Sequence, residues 1–452
     1  MKNTILILFI LFSTICNSQT YVPDDAFEQK LINLGYDTGP LDDFVPTANI
    51  NTISTLNVSN SGISDMTGIE DFTALVNLSC QSNIITNLDI TGLTNLEILY
   101  LYDNNISSID LSTNTALIKF NGGLNPYISL DFSNNHNIEW VGSPSGSLTS
   151  IDLSGITTLK EVYIQDNQIV ALDVSGNTNL KFLDAFNNSL TSINLSGDTA
   201  LQYANIYNNQ LPSLDVSTNT NLFALNCSSN ILSTLDVSAN TSLLNLSVSN
   251  NNLSNLDLNG VNALTTLNCD NNLLTSLNIS SNILISNLAC NNNSLTHLDF
   301  SQHTLLNFLL INNNNLVAVD LKNGSNTSIV LFDARNNASL FCIKVDDEAY
   351  STTNWLNIDP QTDFSEDCLI GIGENSFTNF NIYPNPANSS IHITPNNNIK
   401  SFSITDVQGR LVSSNIISDS TTISVEGLRT GIYFLKITTT QNQTVTKKFI
   451  KH

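Results

Sequence analysis

The sequence predicts a β-rich solenoid of 21-residue coils followed by a small β-sandwich. Three observations lead there. A dipeptide of Leu, Ile or Val followed by Asp or Asn recurs at a constant step of 21 residues. Inside each period a second apolar run alternates as a short strand does. From about Glu374 the period stops, and alternating runs separated by turn residues replace it. Self-similarity at a period of roughly 20–50 residues marks stacked units, none of which can bury its apolar edge alone.

The chain opens Met-Lys-Asn and then runs apolar from Ile5 to Phe12, with Ile15 and Cys16 shortly after. This run is too short to span a bilayer and fits a signal-peptide core, so residues 1–19 are expected to be removed near Ser18 or Gln19. Cys16 invites a lipid-anchored reading, but Ser13-Thr14-Ile15 lacks the Leu expected three residues before a lipidated Cys. No other run of about 18 apolar residues occurs, so no transmembrane segment is expected after signal removal. Charged residues make up 12% of the chain and the net charge is −24. Such a balance argues against nucleic acid, because no basic surface exists to displace phosphate counterions. It is equally unfavourable for anionic membrane surfaces.

Residues 20–50 read as an N-terminal cap. Tyr21-Val22-Pro23-Asp24-Asp25-Ala26-Phe27 and Leu31-Ile32, followed by Gly35-Tyr36-Asp37, suggest a short amphipathic helix with Asp24 or Asp25 as its cap. The repeat then occupies residues 51–337. Its dipeptides are Leu88-Asp89, Ile109-Asp110, Leu130-Asp131, Ile151-Asp152, Leu172-Asp173, Ile193-Asn194, Leu214-Asp215, Leu235-Asp236, Leu256-Asp257, Leu277-Asn278, Leu298-Asp299 and Val319-Asp320. These twelve copies stay in phase without an insertion. A second pattern runs Leu222-x-x-Leu225-x-Cys227-x-x-Asn230-x-Leu232, and it recurs from Leu243 to Leu253 and from Leu264 to Leu274. This resembles the leucine-rich-repeat consensus L-x-x-L-x-L-x-x-N-x-L over roughly residues 50 to 345.

The alternation Leu225-x-Cys227 turns two side chains inward from one strand, and stacked coils form a long parallel sheet. Asn104, Asn125, Asn167, Asn188, Asn209, Asn230, Asn251, Asn272, Asn293 and Asn314 form a ladder whose amides can satisfy turn backbone groups. It breaks at Gly146, in the least regular coil, which reads either as a local bulge or as a ligand-contacting irregularity. The segment Asn323 to Ser328 shifts the phase by about two residues. Residues 338–368 are expected to form a C-terminal cap. Cys80, Cys227, Cys269 and Cys290 share one inward position and read as buried small apolar residues rather than metal ligands. Cys342 and Cys368 flank the cap, and a disulfide between them is expected in an exported chain.

After a linker at 369–375, residues 376–452 carry the runs Ile391-His392-Ile393, Ser401-Phe402-Ser403-Ile404, Thr422-Ile423-Ser424-Val425 and Ile432 to Ile437. They suggest a small immunoglobulin-like β-sandwich. Its motifs are Tyr383-Pro384-Asn385-Pro386-Ala387, Asp406-Val407-Gln408-Gly409-Arg410, Gly431-Ile432-Tyr433 and the basic end Lys447-Lys448. Together they resemble the C-terminal sorting domain of the Bacteroidetes type IX secretion system. That resemblance implies export across both membranes through the type IX machinery. Asp198-Thr199-Ala200 and Asp419-Ser420-Thr421 also look like a short bacterial glycosylation motif.

Chemistry is sparse. His136, His297, His303, His392 and His452 stand in no metal-protease, haem or deaminase spacing, and no nucleophile elbow or phosphate loop is present. His297 and His303 are expected to face solvent. No catalytic residue and no resident metal are expected, and the chain reads as a non-enzyme. The Asp column from Asp89 to Asp320 is expected to accept turn N–H groups, with weak Ca²⁺ binding as the alternative and no other cofactor.

The informative signal lies at outward strand positions. Ile98, Tyr100 and Tyr102 share a coil; Trp140, Tyr163, Phe182 with Phe186, and Tyr203 with Tyr207 follow. Later coils present Ala224, Asn226, Ser228, Asn245, Thr266 and Asn287 at matching places. Aromatics therefore concentrate on the first half of the expected concave sheet. They point to an extracellular protein or glycan ligand, or to lateral packing between coils. The expectation is a monomeric, secreted or surface-attached binding or adhesion protein, with a structural surface-layer or matrix spacer as the alternative.

Overall fold

The computed structural model describes residues 18–368, 381–394, 399–407, 410–416, 422–439 and 444–452. The expected signal core with Cys16, the 369–375 linker, Gln408 and Gly409, and Asp419-Ser420-Thr421 lie outside the described residues. The chain divides into two compact units between Cys368 and Leu369.

In the first unit the 21-residue step becomes a stack of coils. Each coil lends one three-residue strand to a 14-stranded sheet that begins at Thr55–Asn57 and ends at Leu331–Asp333, and every pairing in it is parallel. The pleat sends alternate side chains to opposite faces. Leu99, Val162, Leu225 and Leu288 therefore point inward and are buried, as are Leu101, Ile164, Cys227 and Cys290 two residues later. The second residue after that pair has positive φ in coil after coil and is Asn, Asp or Ser almost throughout, the types that tolerate a left-handed backbone. Leu124 (φ 52°) is the departure, in the coil just before that of Gly146.

The ladder is longer than the sequence pattern gave it, running from Asn83 to Asn337. Asn251 shows its action: Oδ1 accepts the N–H of Leu232 at 3.0 Å, while Nδ2 donates to the carbonyls of Cys227 and Val248 at 3.1 and 3.0 Å. One amide thus ties two adjacent coils, and the backbone groups it meets are matched. At Gly146 no amide is available, and beside that gap the buried rings of Phe120, Tyr127 and Phe132 pack together. Gly122 makes room for them: a Cβ there would lie 2.6 Å from the Phe120 ring.

The dipeptide column forms the opposite edge, with short parallel strands at Ser129–Asp131, Ser150–Asp152, Ala171–Asp173 and Ser192–Asn194. Its apolar residue points inward. In all twelve copies the Asp or Asn side chain accepts the backbone N–H two residues on. Those bonds hold Asp89, Asp110, Asp131, Asp215 and Asp236 below the ordinary carboxylate range.

A second amide row follows six of the twelve dipeptides: Asn114, Asn135, Asn177, Asn219, Asn240 and Asn282 are all buried, and apolar Leu93, Ile156 and Val261 take three of the remaining places. Two members differ. Asp198 stands between Asn177 and Asn219, and His303 follows Asn282. His303 is therefore a correction to the solvent-facing expectation: it is fully buried, edge-on to Phe300 at 5.8 Å. Burial lowers its pKa, so the ring is neutral. His297 is exposed.

Both ends are covered. The helix Asp25–Asn33 is capped by Asp24, whose Oδ1 accepts from Ala26 and Phe27 while Oδ2 accepts from Ser64 and Asp65. Phe27 and Leu31 close the first coil. At the far end the helix Glu348–Asn354 leads into Trp355, whose ring stacks on Phe332 at 4.7 Å. The short turn Asn326–Ser328 absorbs the phase shift. Cys342 and Cys368 are joined by a disulfide with Cα atoms 5.9 Å apart, 26 positions from each other in sequence. Replacing both by Ser should lower stability by about 3 kcal/mol, the loop-closure entropy for such a length. Urea midpoints would read this, and an unchanged midpoint would show that the aromatic cap alone holds the end.

The second unit has two antiparallel sheets. One contains Asn381–Tyr383, Ser390–Thr394 and Thr422–Ser424; the other contains Ile399–Asp406, Leu411–Ile416, Gly431–Thr439 and Thr444–Lys451. They share a core of Ile391, Ile393, Ile404, Ile423, Tyr433, Leu435, Ile437 and Phe449.

Candidate functional site

The outward side of the 14-stranded sheet has three columns of side chains, because each strand exposes the residues flanking its buried centre and one residue beyond. Register fixes the neighbours. Trp140 lies between Lys119 and Glu161, and Glu161 lies between Trp140 and Phe182. Phe182 pairs with Tyr203, and Tyr203 with Ala224. Tyr100 is in register with Asn121, Gly142 with Tyr163, and Tyr163 with Asp184. In the third column Tyr102, Phe186 and Tyr207 stand on the strand exits.

All eight aromatics reach the surface to some degree. Tyr102 and Tyr207 are exposed at 36% and 39%, and Tyr100, Trp140, Tyr163, Phe182, Phe186 and Tyr203 are half-buried. Two pairs touch across coils: Trp140 with Tyr163 at 5.5 Å between centroids, and Phe182 with Tyr203 at 6.2 Å. Such tilted contacts suit the ring quadrupoles and hold the rings in place.

The polar groups among them are tied down. The Tyr163 hydroxyl donates to Glu161 at 2.9 Å, and burial with this bond pushes the phenol up to about 12. Asn205 donates to Asp184 at 3.0 Å, and burial raises that carboxyl to about 6.

Two features escaped the sequence pattern. Gly142 leaves the space into which the six-membered ring of Trp140 folds; a Cβ there would meet Cη2 at 2.3 Å. A glycine at an outward position beside a tryptophan was the available signal. The polar later coils also end in a second apolar group, Phe308 with Leu331, exposed at 42% and 41% and in register.

Among the described residues no chemistry of another kind assembles. Cys80, Cys227, Cys269 and Cys290 are buried free thiols, and burial pushes Cys80 and Cys227 up to about 12. Asp25, Glu28 and Asp43 bring carboxylates together in the N-terminal cap, yet both Glu28 oxygens already accept N–H groups from Asp42 and Asp43.

In the second unit the sorting-motif residues serve the fold. Asn385 accepts from Ile450 and donates to Lys448. Tyr433 stacks on Phe449 and its hydroxyl donates to the Arg429 carbonyl. Asp406 pairs with Arg410. Tyr383 lies against His392, while Pro384, Pro386, Lys447 and Lys448 are exposed and Gly431 begins its strand.

Comparison with known proteins agrees with this architecture. Residues 381–452 match the family described as secretion system C-terminal sorting domain. No curated protein matches the chain. Among solved structures, InlJ of Listeria monocytogenes is similar at 23% identity and a TM-score of 0.54, over 96% of this chain and 99% of that one. An internalin, InlF, of the same species is similar at 19% identity and a TM-score of 0.53, over 78% and 100%. At these identities the likeness is one of fold. Among the described residues no helix is long and apolar enough to cross a membrane. The sorting domain marks the protein for type IX secretion across the outer membrane, to the cell surface or the medium. The chain is a secreted leucine-rich-repeat solenoid that ends in a type IX secretion C-terminal sorting domain.

Proposed function

We propose that this protein is a non-enzymatic binding or adhesion protein that engages an extracellular protein or glycan with the aromatic half of its 14-stranded sheet. The observation that carries the reading is a contrast at constant register. From Tyr100 to Tyr207 the outward columns hold eight aromatic rings, whereas Ala224, Asn245, Thr266 and Asn287 occupy the same column in later coils. The backbone is the same in both halves, so the fold does not require the rings. Half-exposed aromatics on a rigid surface lose little entropy on binding and supply the area typical of interface hot spots.

The ring pairs across coils favour a second reading, in which the aromatics stiffen a structural spacer that has no discrete ligand. One experiment separates the two. The full exported chain and a variant with Tyr100, Trp140, Tyr163, Phe182 and Tyr203 changed to Ser would be compared on glycan arrays and in surface pull-downs. The binding reading expects at least a tenfold loss of capture, on the order of 1.4 kcal/mol or more, with circular dichroism unchanged. Equal capture by both proteins would defeat it.

A further inference from the structure

Building on the aromatic-face reading, we propose that the ligand is a neutral, extended, β-linked polysaccharide whose sugar rings stack on Trp140, Tyr163, Phe182 and Tyr203 in turn. Three observations converge on that chemistry.

The first is spacing. These four residues come from four consecutive coils: Phe182 lies directly opposite Tyr203, and Tyr163 stands one column over, two residues beyond Glu161 and beside the indole of Trp140. Neighbouring strands in such a sheet are about 4.8 Å apart, close to the advance of one ring in an extended chain of equatorially linked pyranoses. Two ring pairs on neighbouring columns can therefore meet successive sugars of a chain that crosses the strands obliquely.

The second is preorganisation. Gly142 leaves an outward position empty, and the indole of Trp140 fills it, which brings Trp140 alongside Tyr163. In the preceding coil Gly123 leaves room for Pro144, since a Cβ there would lie 2.7 Å from Cδ. Gly142 thus fixes where the Trp140 ring sits. The C–H bonds on one face of a pyranose are weakly positive and meet the negative face of an aromatic ring, so a fixed ring favours binding by reducing the ordering cost.

The third is charge. Residues 1–380 carry 36 Asp+Glu against 8 Lys+Arg. That field repels an acidic polymer. Between the rings stand Asn121, Glu161, Asp184 and Asn205, whose amides and carboxylates suit sugar hydroxyls.

The test uses gluco-, manno- and xylo-oligosaccharides with β-1,4 linkages, from two to six rings, against the full chain. The chain has two tryptophans, and Trp355 is buried in the cap at 4% exposure, so a fluorescence change reports on Trp140. Affinity should rise with length to four rings for at least one series, and polygalacturonate should not compete. In calorimetry Trp140→Ala and Tyr203→Ala should each weaken binding about tenfold. Gly142→Ala, which displaces the indole while removing no contact group, should do the same. The wild-type unfolding midpoint in Tyr203→Ala keeps a folding defect from mimicking this loss. Absence of binding by every neutral series, or equal binding by Trp140→Ala, overturns the proposal. If sugars fail while the five-Ser variant still loses a captured protein, the aromatic face stands and only the ligand class falls. If that variant loses nothing, both fall.

Discussion

At pH 8 the substitution Asp198→Asn is expected to stabilise the first unit by about 2–4 kcal/mol, and at pH 4 by less than about 1 kcal/mol. Asp198 is fully buried in a row where both neighbouring members are Asn. Its Oδ1 accepts the Asn177 N–H at 2.9 Å, and its Oδ2 has no hydrogen-bond partner in the protein. Burial first, with Asp173 nearby as a further repulsion, raises the carboxyl from 3.8 to about 7. A raised folded-state pKa means that the folded form holds the proton more tightly than the unfolded chain does. The contribution is therefore complete below about 4 and disappears as the pH climbs through about 7. An amide carries no charge to bury, so the variant escapes that loss. The turn carboxylates that weaken the fold in acid are common to both proteins and cancel in the difference. Urea unfolding at pH 4, 6 and 8 would measure the effect; a difference that does not change with pH would refute it.

Asn230→Ala should cost about 3 kcal/mol. The amide accepts from the Leu211 N–H at 2.9 Å and donates to the Ile206 and Cys227 carbonyls at 3.1 Å each. Alanine would leave these groups buried and unpaired in successive coils, and no water can replace an amide without opening the stack. Asn230→Asp keeps the acceptor but loses the donors, so it should be nearly as harmful. Asn221 offers the contrast. It is exposed and donates only to the Thr199 carbonyl at 2.8 Å, so Asn221→Ala should change stability by no more than about 0.5 kcal/mol. Equal effects at the two sites would show that the ladder contributes nothing special.

Much of this architecture is legible in the residues because a solenoid repeats its rules. The 21-residue step gives the phase, the alternation gives inward and outward columns, and the Asp position after each apolar residue announces a turn. The second amide row is harder to read, since Leu93, Ile156 and Val261 interrupt it. His303 departs from the sequence expectation for that reason: a polar residue in a loop-like stretch occupies an interior position set by coils before it. The aromatic columns are equally readable, but the Trp140 seat is not. It depends on which way an indole turns, and that is decided by the empty space over Gly142 rather than by the tryptophan. The group at Phe308 and Leu331 is hidden in the sequence because the two-residue insertion near Asn326 obscures their shared column.

The interior line of thiols has a consequence for the order of events during export. Six cysteines remain after Cys16, and six can pair in fifteen ways. A thiol must ionise to attack a disulfide, and burial that holds Cys80 and Cys227 near 12 leaves almost no thiolate at neutral pH. Coils that close before an oxidant arrives remove four competitors from the contest. Cys342 and Cys368 then have only each other, so a solenoid wound first guards itself against miswired sulfur.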